Sequence, residues 1–413
     1  MIAPDPEPSA RPATFSELAE QIRARRGLHS VVGATSTAAA ALSHALNLRG
    51  LRVVHVAADA AAAAASHRDL RHLSRGLPVR GSVLAKPGPA PCRWLAAPEE
   101  SPWARVHPDR RADLDRVATL FALARGEFAT LVTDVSALLR RVPPVAALRD
   151  AGLRLAPGVE LALDALPARL EAIGYLRTPL VEDAGSFAVR GGLLDLWPAG
   201  ATEPLRAELE GDVIESVRHF DPNSQRSGRD AGEQWIAPAR EALLTDATRE
   251  RAERAVRALA DAASHPSSKT RRLVEEIVQG ASFFGAAGFL PAYFELQPLW
   301  SLLPEGDTVF VVEEPELVAA ALPAVAEAHQ AEELLAQGPH FSYDELFLAP
   351  GAVAEFLLSS HVVGVRRTGV SGGGEGPLAP LLDTPVDAPS LMTADHQLLL
   401  ATQRQEQLGR RGA

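Results

Sequence analysis

Apolar runs and helical stretches alternate through the first part of this 413-residue chain, and that alternation constrains the fold more than any other feature. Leu28 to Val32 reads as a strand, Thr35 to Leu48 as a helix, Arg52 to Ala57 as a second strand and Asp59 to Ser74 as a second helix. The order predicts a parallel βαβ unit, because parallel neighbours need a long crossover that a helix supplies. A helical run from Arg110 to Arg125 then leads into a further strand at Ala129 to Val135. Pro143 and Pro144 interrupt the pattern and mark a domain boundary. Strands dominate from about Gly158 to Phe220, and Asp246 to Gln279 is mostly helical with a break at His265 and Pro266. The glycine-rich run from Thr368 to Gly376 has the composition of a flexible linker. The expected fold class is α/β with a second, strand-rich domain.

Composition narrows the function classes. A mean hydropathy near zero with 46% hydrophobic residues suits a globular protein of two or three domains. Of 41 basic residues only Lys86 and Lys269 are lysine. A net charge of −11 argues against non-specific coating of nucleic acid, which needs clustered positive charge. Cys92 is the single cysteine, which excludes an intrachain disulfide and cysteine-rich metal sites and points to the cytoplasm. No apolar run approaches the roughly 20 residues that span a bilayer, and the start MIAPDPEPSARP is no signal peptide, so no membrane role is expected.

Gly33-Ala-Thr-Ser-Thr37 sits between a strand and a helix, where backbone N–H groups and the helix dipole favour a phosphate. A working P-loop also needs Gly-Lys-Ser/Thr leading into the helix, and no lysine precedes Lys86. Gly33, Thr35, Ser36 and Thr37 therefore read as a degenerate nucleotide-site turn. Thr308 to Glu314, TVFVVEE, has the outline of a Walker-B strand, but Pro315 and the helical run after it assign the acids to a helix start. Gly369-Val-Ser-Gly-Gly373 satisfies G-x-S-x-G, yet more glycine and Pro377 follow where a nucleophile elbow needs a helix. His67 and His72, five apart on a helix, do not share a face and are expected to be exposed. Nothing in the sequence brings two carboxylates into an acid/base geometry, and no metal site or cofactor is expected.

The most specific spacing lies between Gly174 and Ser227. In Ser186 to Arg190, Phe187 and Val189 alternate with Ala188 and Arg190, so a strand would bury the first pair and expose Arg190. Gly191-Gly192 turns the chain into Leu193 to Trp197. Leu205, Ala207 and Leu209 alternate with Arg206, Glu208 and Glu210, and Gly211-Asp212 closes a hairpin with Val213 to Phe220. By composition alone this is a small α+β domain whose charges solvate one face.

The motifs GY-x-R, G-x-F-A-V-R-G-G-x-L-D-x-x-P, P-x-R-x-E, G-D-x-I-E-S-x-R and F-D-x-x-x-Q-R-S together resemble domain 2 of the transcription-repair coupling factor family, Mfd, and more distantly UvrB. Similar runs flank them at Ser101-Pro102-Trp103, Pro108-Asp109-Arg110, Val132 to Pro144 and Gly288 to Trp300. The resemblance covers roughly residues 15 to 335. It implies a degenerate P-loop, RecA-like (UvrB-like) scaffold with an inserted domain: domain 1a at 15–142, the UvrA-interaction domain at 143–222 and domain 1b at 223–366. Residues 1–14 would be a flexible start, 367–377 a glycine-rich linker and 378–413 a truncated C-terminal segment. By the same resemblance UvrA is the partner, and Arg177 and Arg190 face it. Phe187 and Trp197 would be supporting or contacting aromatics, and Arg206 and Glu208 would belong to the same surface. Trp197 stands where the family usually has phenylalanine, and Ala188 where UvrB has a further arginine. In that family RNA polymerase and DNA are engaged through C-terminal domains whose sequence is not found here, and the same domain 2 face is masked by the C-terminal region. The expectation is a non-catalytic, cytoplasmic UvrA-recruiting part of such a factor. Two other readings stay open: a UvrB-like NTPase with an atypical phosphate site, and a free-standing adaptor that competes with UvrB for UvrA.

Overall fold

The computed structural model describes residues 12–74, 92–98, 101–103, 109–280, 286–304, 306–368, 376–383 and 385–389. The first eleven residues, Lys86, Pro108, the Gly369–Gly373 motif and the end of the segment expected at 378–413 lie outside them.

Short, largely apolar runs, valine dominating the central ones, supply the strands of the larger sheet. These are β1 (Leu28–Val32), β2 (Arg52–Ala57), β3 (Cys92–Leu95) and β4 (Thr130–Asp134). The second sheet and a small ribbon take β5 (Leu153–Leu155), β6 (Leu176–Arg177), β7 (Ser186–Arg190), β8 (Leu193–Leu196), β9 (Leu205–Glu210), β10 (Val213–Phe220), β11 (Ser227–Asp230) and β12 (Gln234–Ile236). The chain then returns to the first sheet with β13 (Thr308–Glu313), β14 (Val362–Arg366) and β15 (Val386–Asp387).

The larger sheet has seven strands in the order β15-β1-β14-β13-β2-β4-β3, every pair parallel. Strands buried on both faces need apolar residues in succession, and β2, β13 and β14 are buried almost throughout. On one face Val31, Val53, Val309 and Val363 pack against the helices Phe15–Ala24 and Ser36–Leu48. On the other, Val54, Phe310 and Val312 pack against helices that include Val135–Leu139, Pro315–Leu334 and Pro350–Ser359. The expected parallel sheet is present, but β1 and β2 are not neighbours in it: β14 and β13, from the far end of the chain, lie between them. The segment after Gly376 is more than a tail: a 3-10 turn at Ala379–Leu382 packs on the sheet, and β15 extends it beside β1.

The second sheet has six strands in the order β11-β10-β9-β8-β7-β6, antiparallel except for the β6–β7 pair. It continues through Ser227–Asp230, past the expected edge at residue 222, and the antiparallel pair β5–β12 closes its base. Its inner face buries Phe187, Leu194, Leu196, Leu205, Ala207 and Val217.

One helix, Arg110–Ala124, serves both cores. Leu120, Leu123 and Ala124 join the core of the larger sheet, and Leu114, Val117 and Phe121 join that of the smaller one. Arg116, nearly fully buried, reinforces the junction through Glu241 Oε1 at 2.7 Å and the Ala96 carbonyl at 2.8 Å. Tyr175, the tyrosine of GY-x-R, is buried, donates to the Ala237 carbonyl at 2.8 Å and accepts from Ala199 N–H at 3.1 Å. That motif therefore carries a structural tie beside its arginine.

Candidate partner-docking face

The outer face of the six-stranded sheet is built by register. Ala188, Asp195, Arg206, Arg218 and Asp230 stand in one row across five strands, and Arg190, Leu193, Glu208 and Ser216 in the next. Paired residues project to the same side, so these rows form one surface, opposite the buried row through Phe187, Leu196 and Leu205. The turn joining β7 to β8 depends on both glycines. Gly191 takes φ +58°, and a Cβ on Gly192 would stand 2.6 Å from the Leu209 carbonyl oxygen.

Asp195 is the centre of the face. Although only 1% exposed, it accepts from Arg206 Nε at 2.6 Å (Oδ1) and Nη2 at 2.9 Å (Oδ2), a bidentate pair. Arg190 Nη2 meets the same Oδ2 at 2.6 Å while half its side chain stays in solvent. Arg206 also donates to the Gln225 carbonyl at 2.9 Å and lies over the Phe220 ring. Gln225 sits in a turn at φ +57°, shaped by Asp221 Oδ1 accepting from Asn223 and Ser224 N–H groups. The sequence motifs P-x-R-x-E and F-D-x-x-x-Q-R-S thus meet at one guanidinium.

The expected site residues fall into distinct environments. Arg190 is exposed on this face. Arg177 is exposed on the edge strand β6, pairs in register with Phe187, and makes no ion pair among the described residues. Arg190 lies an odd three residues beyond Phe187, so alternation directs the two arginines to opposite sides of the same edge, roughly 10 Å apart along the strand. Phe187 is fully buried and supports the face from within. Trp197 is half-buried, donates from Nε1 to the Ala201 carbonyl at 3.1 Å, and packs on a small cluster of Val181, Ala188 and Phe220. That cluster buries Ala188 on the outer side of β7, beside the exposed Arg190. Arg206 is committed to internal partners, and Glu208 is half-buried and accepts from Ser216 Oγ at 3.1 Å.

The turn at Gly33 also closes on itself. Gly33 takes φ +77°, and Thr35 caps the helix Ser36–Leu48 by accepting from Ala38 N–H. Thr37 Oγ1 donates to Asp69 at 2.9 Å, and the Ser36 side chain is among the groups that lower the pKa of Glu313. Glu313 departs from the helix-start expectation. Glu314 occupies the cap position of the helix Pro315–Leu334, whereas Glu313 ends β13, buried, and accepts from His55 Nε2 at 3.1 Å and Ser66 Oγ at 2.8 Å. Burial alone would raise its pKa; the hydrogen bond and charge of His55, with Ser36 and Ser66, outweigh burial and hold it at about 2. A phosphate at this turn would meet two carboxylates. His67 is half-buried beside Trp94, ring centroids 5.7 Å apart, rather than exposed as expected, while His72 is exposed. Among the described residues no cluster of three or more His, Cys, Asp or Glu could hold a metal ion, and no helix is long and apolar enough to cross a membrane.

The UvrB interaction domain family matches residues 153–241, the stretch that holds the six-stranded sheet and its closing ribbon. A transcription-repair-coupling factor of Myxococcus xanthus is 44% identical over 244 residues, 59% of this chain. Its counterparts in Escherichia coli K12 and Bacillus subtilis 168 are 34% and 32% identical over 147 and 149 residues, 36% of this chain in each case. The chain carries a UvrB interaction domain and is similar to transcription-repair-coupling factors. The matched stretches span 20%, 13% and 12% of those three proteins. Within the UvrB interaction domain, sequence reasoning had singled out Arg190 and Arg206 but missed Asp195, which joins them. The acid stood in plain view inside the L-D-x-x-P motif, as a charged residue within an otherwise apolar strand.

Proposed function

We propose that this chain is the UvrA-recruiting, amino-terminal part of a transcription-repair coupling factor, acting in transcription-coupled nucleotide excision repair without catalysis of its own. Its scaffold is UvrB-like, with domains 1a and 1b forming the parallel sheet and domain 2 inserted between them. One observation carries the reading: within the UvrB interaction domain, Arg190 presents a half-exposed guanidinium on the outer face of the sheet. The bidentate Arg206 holds Asp195 from the other side, so Arg190 shares this carboxylate with it and is not its sole counter-ion. With Arg177 on the same edge, the pair suits acidic side chains on a protein that wraps the β6/β7 edge. The carboxylates at the Ser36–Thr37 turn weigh against the NTPase reading. RNA polymerase and DNA would be engaged by other parts of such a factor.

Titration of the chain with purified UvrA tests this. Wild type should bind, and Arg177→Glu and Arg190→Glu should each weaken binding by about 2–5 kcal/mol while the fold is retained. No binding by wild type, or equal binding by both folded variants, would sink it.

A further inference from the structure

An exposed arginine on a flexible stem loses side-chain entropy when it binds, so a guanidinium held in place beforehand binds with less loss. Arg190 has such a holder. Its Nη2 is 2.6 Å from Asp195 Oδ2, and Asp195 is itself immobilised, being buried and gripped through both oxygens by Arg206. Arg206 is fixed in turn by the Gln225 carbonyl and the Phe220 ring. Among the described residues Arg190 is engaged through Nη2 alone, which leaves Nε and Nη1 for an incoming acceptor.

We infer that Asp195 is a positioning residue: buried beneath the docking face and out of a partner's reach, it aims Arg190 at a single carboxylate of the partner. The inference rests on the UvrA reading above and adds to it a residue that touches no partner. Arg206 has a matching part. It takes both oxygens of Asp195, so that the acid orients Arg190 without Arg190 being its sole counter-ion.

The experiment compares the full chain with Asp195→Asn, Arg190→Ala and the combination of the two. Asp195→Asn/Arg206→Met removes the buried pair together and serves if the single asparagine variant does not fold. Two quantities are read: affinity for purified UvrA, and the order of the Arg190 Nε–H from nitrogen-15 relaxation. Asp195→Asn should loosen Arg190 and weaken UvrA binding at least fivefold. Arg190→Ala should cost much less affinity on the asparagine background than on wild type, a coupling that a purely stabilising residue would not produce. If wild type binds UvrA while Asp195→Asn binds equally well with Arg190 equally ordered, this inference falls and the docking reading stands. A wild-type chain that ignores UvrA removes both. Failure of both Asp195 variants to fold would make Asp195 a stability residue and overturn the positioning role.

Discussion

Asp195 and Arg206 face each other across β8 and β9 as a bidentate pair, Nε to Oδ1 at 2.6 Å and Nη2 to Oδ2 at 2.9 Å. Removing one partner leaves the other charge buried, which costs more than the pair contributes. Arg206→Ala leaves Asp195 with Arg190 as its remaining partner and should destabilise the chain by roughly 1.5–3 kcal/mol in urea unfolding. The double change Asp195→Asn/Arg206→Met should recover most of that loss. A double variant as unstable as the single one would show that packing, not charge, dominates at this position.

Glu313 makes stability depend on pH in a definite direction. Its folded pKa is depressed to about 2 from an ordinary 4.5, so its contribution is complete above pH 4.5 and lost as pH falls toward 2. Glu313→Gln should cost roughly 1.5–3 kcal/mol at neutral pH. The gap between wild type and variant should close on acidification. Urea midpoints measured from pH 7 to pH 3 check this, and a constant gap would exclude the linkage.

Phe187 is fully buried on the inner side of the sheet. Phe187→Ala should cost about 3–5 kcal/mol in stability. Its effect on UvrA binding should follow the folded fraction alone. Binding lost by a fully folded variant would instead give the ring a direct role.

Gly192 has no room for a side chain, because an added Cβ would meet the Leu209 carbonyl oxygen at 2.6 Å. Gly192→Ala should push the β7–β8 turn away from β9 and cost roughly 1–3 kcal/mol. Thermal unfolding reads the effect; an unchanged midpoint would mean that the hairpin shifts without strain.

Local pattern made much of the scaffold legible. The valine runs of β1 and β2 and the Thr35 cap matched the expected strand and helix limits within a residue, because burial on two faces and capping are written in neighbouring residues. The hairpin at Gly211 was equally readable, its φ of +59° being one that glycine adopts without strain. Alternation leaves the burial of Ala188 unstated, because it describes one wet face, and Val181 and Phe220 arrive from elsewhere to cover this part of it. Glu313 was misplaced for a similar reason: its hydrogen-bond partners His55 and Ser66 lie 258 and 247 residues away.

The sequence by itself determined the parallel and antiparallel halves, the missing phosphate-binding lysine and the arginines of the second sheet, since each follows from residue type and spacing along the chain. Only the tertiary structure decided what those arginines do. Cross-strand register sets Arg206 onto Asp195 and leaves Arg190 beside the same carboxylate with half its side chain in solvent. Register also separates Arg177 and Arg190 to the two sides of one edge. Such pairings depend on which strands lie together, and a charge is buried, shared or free only once its neighbours across the sheet are in place.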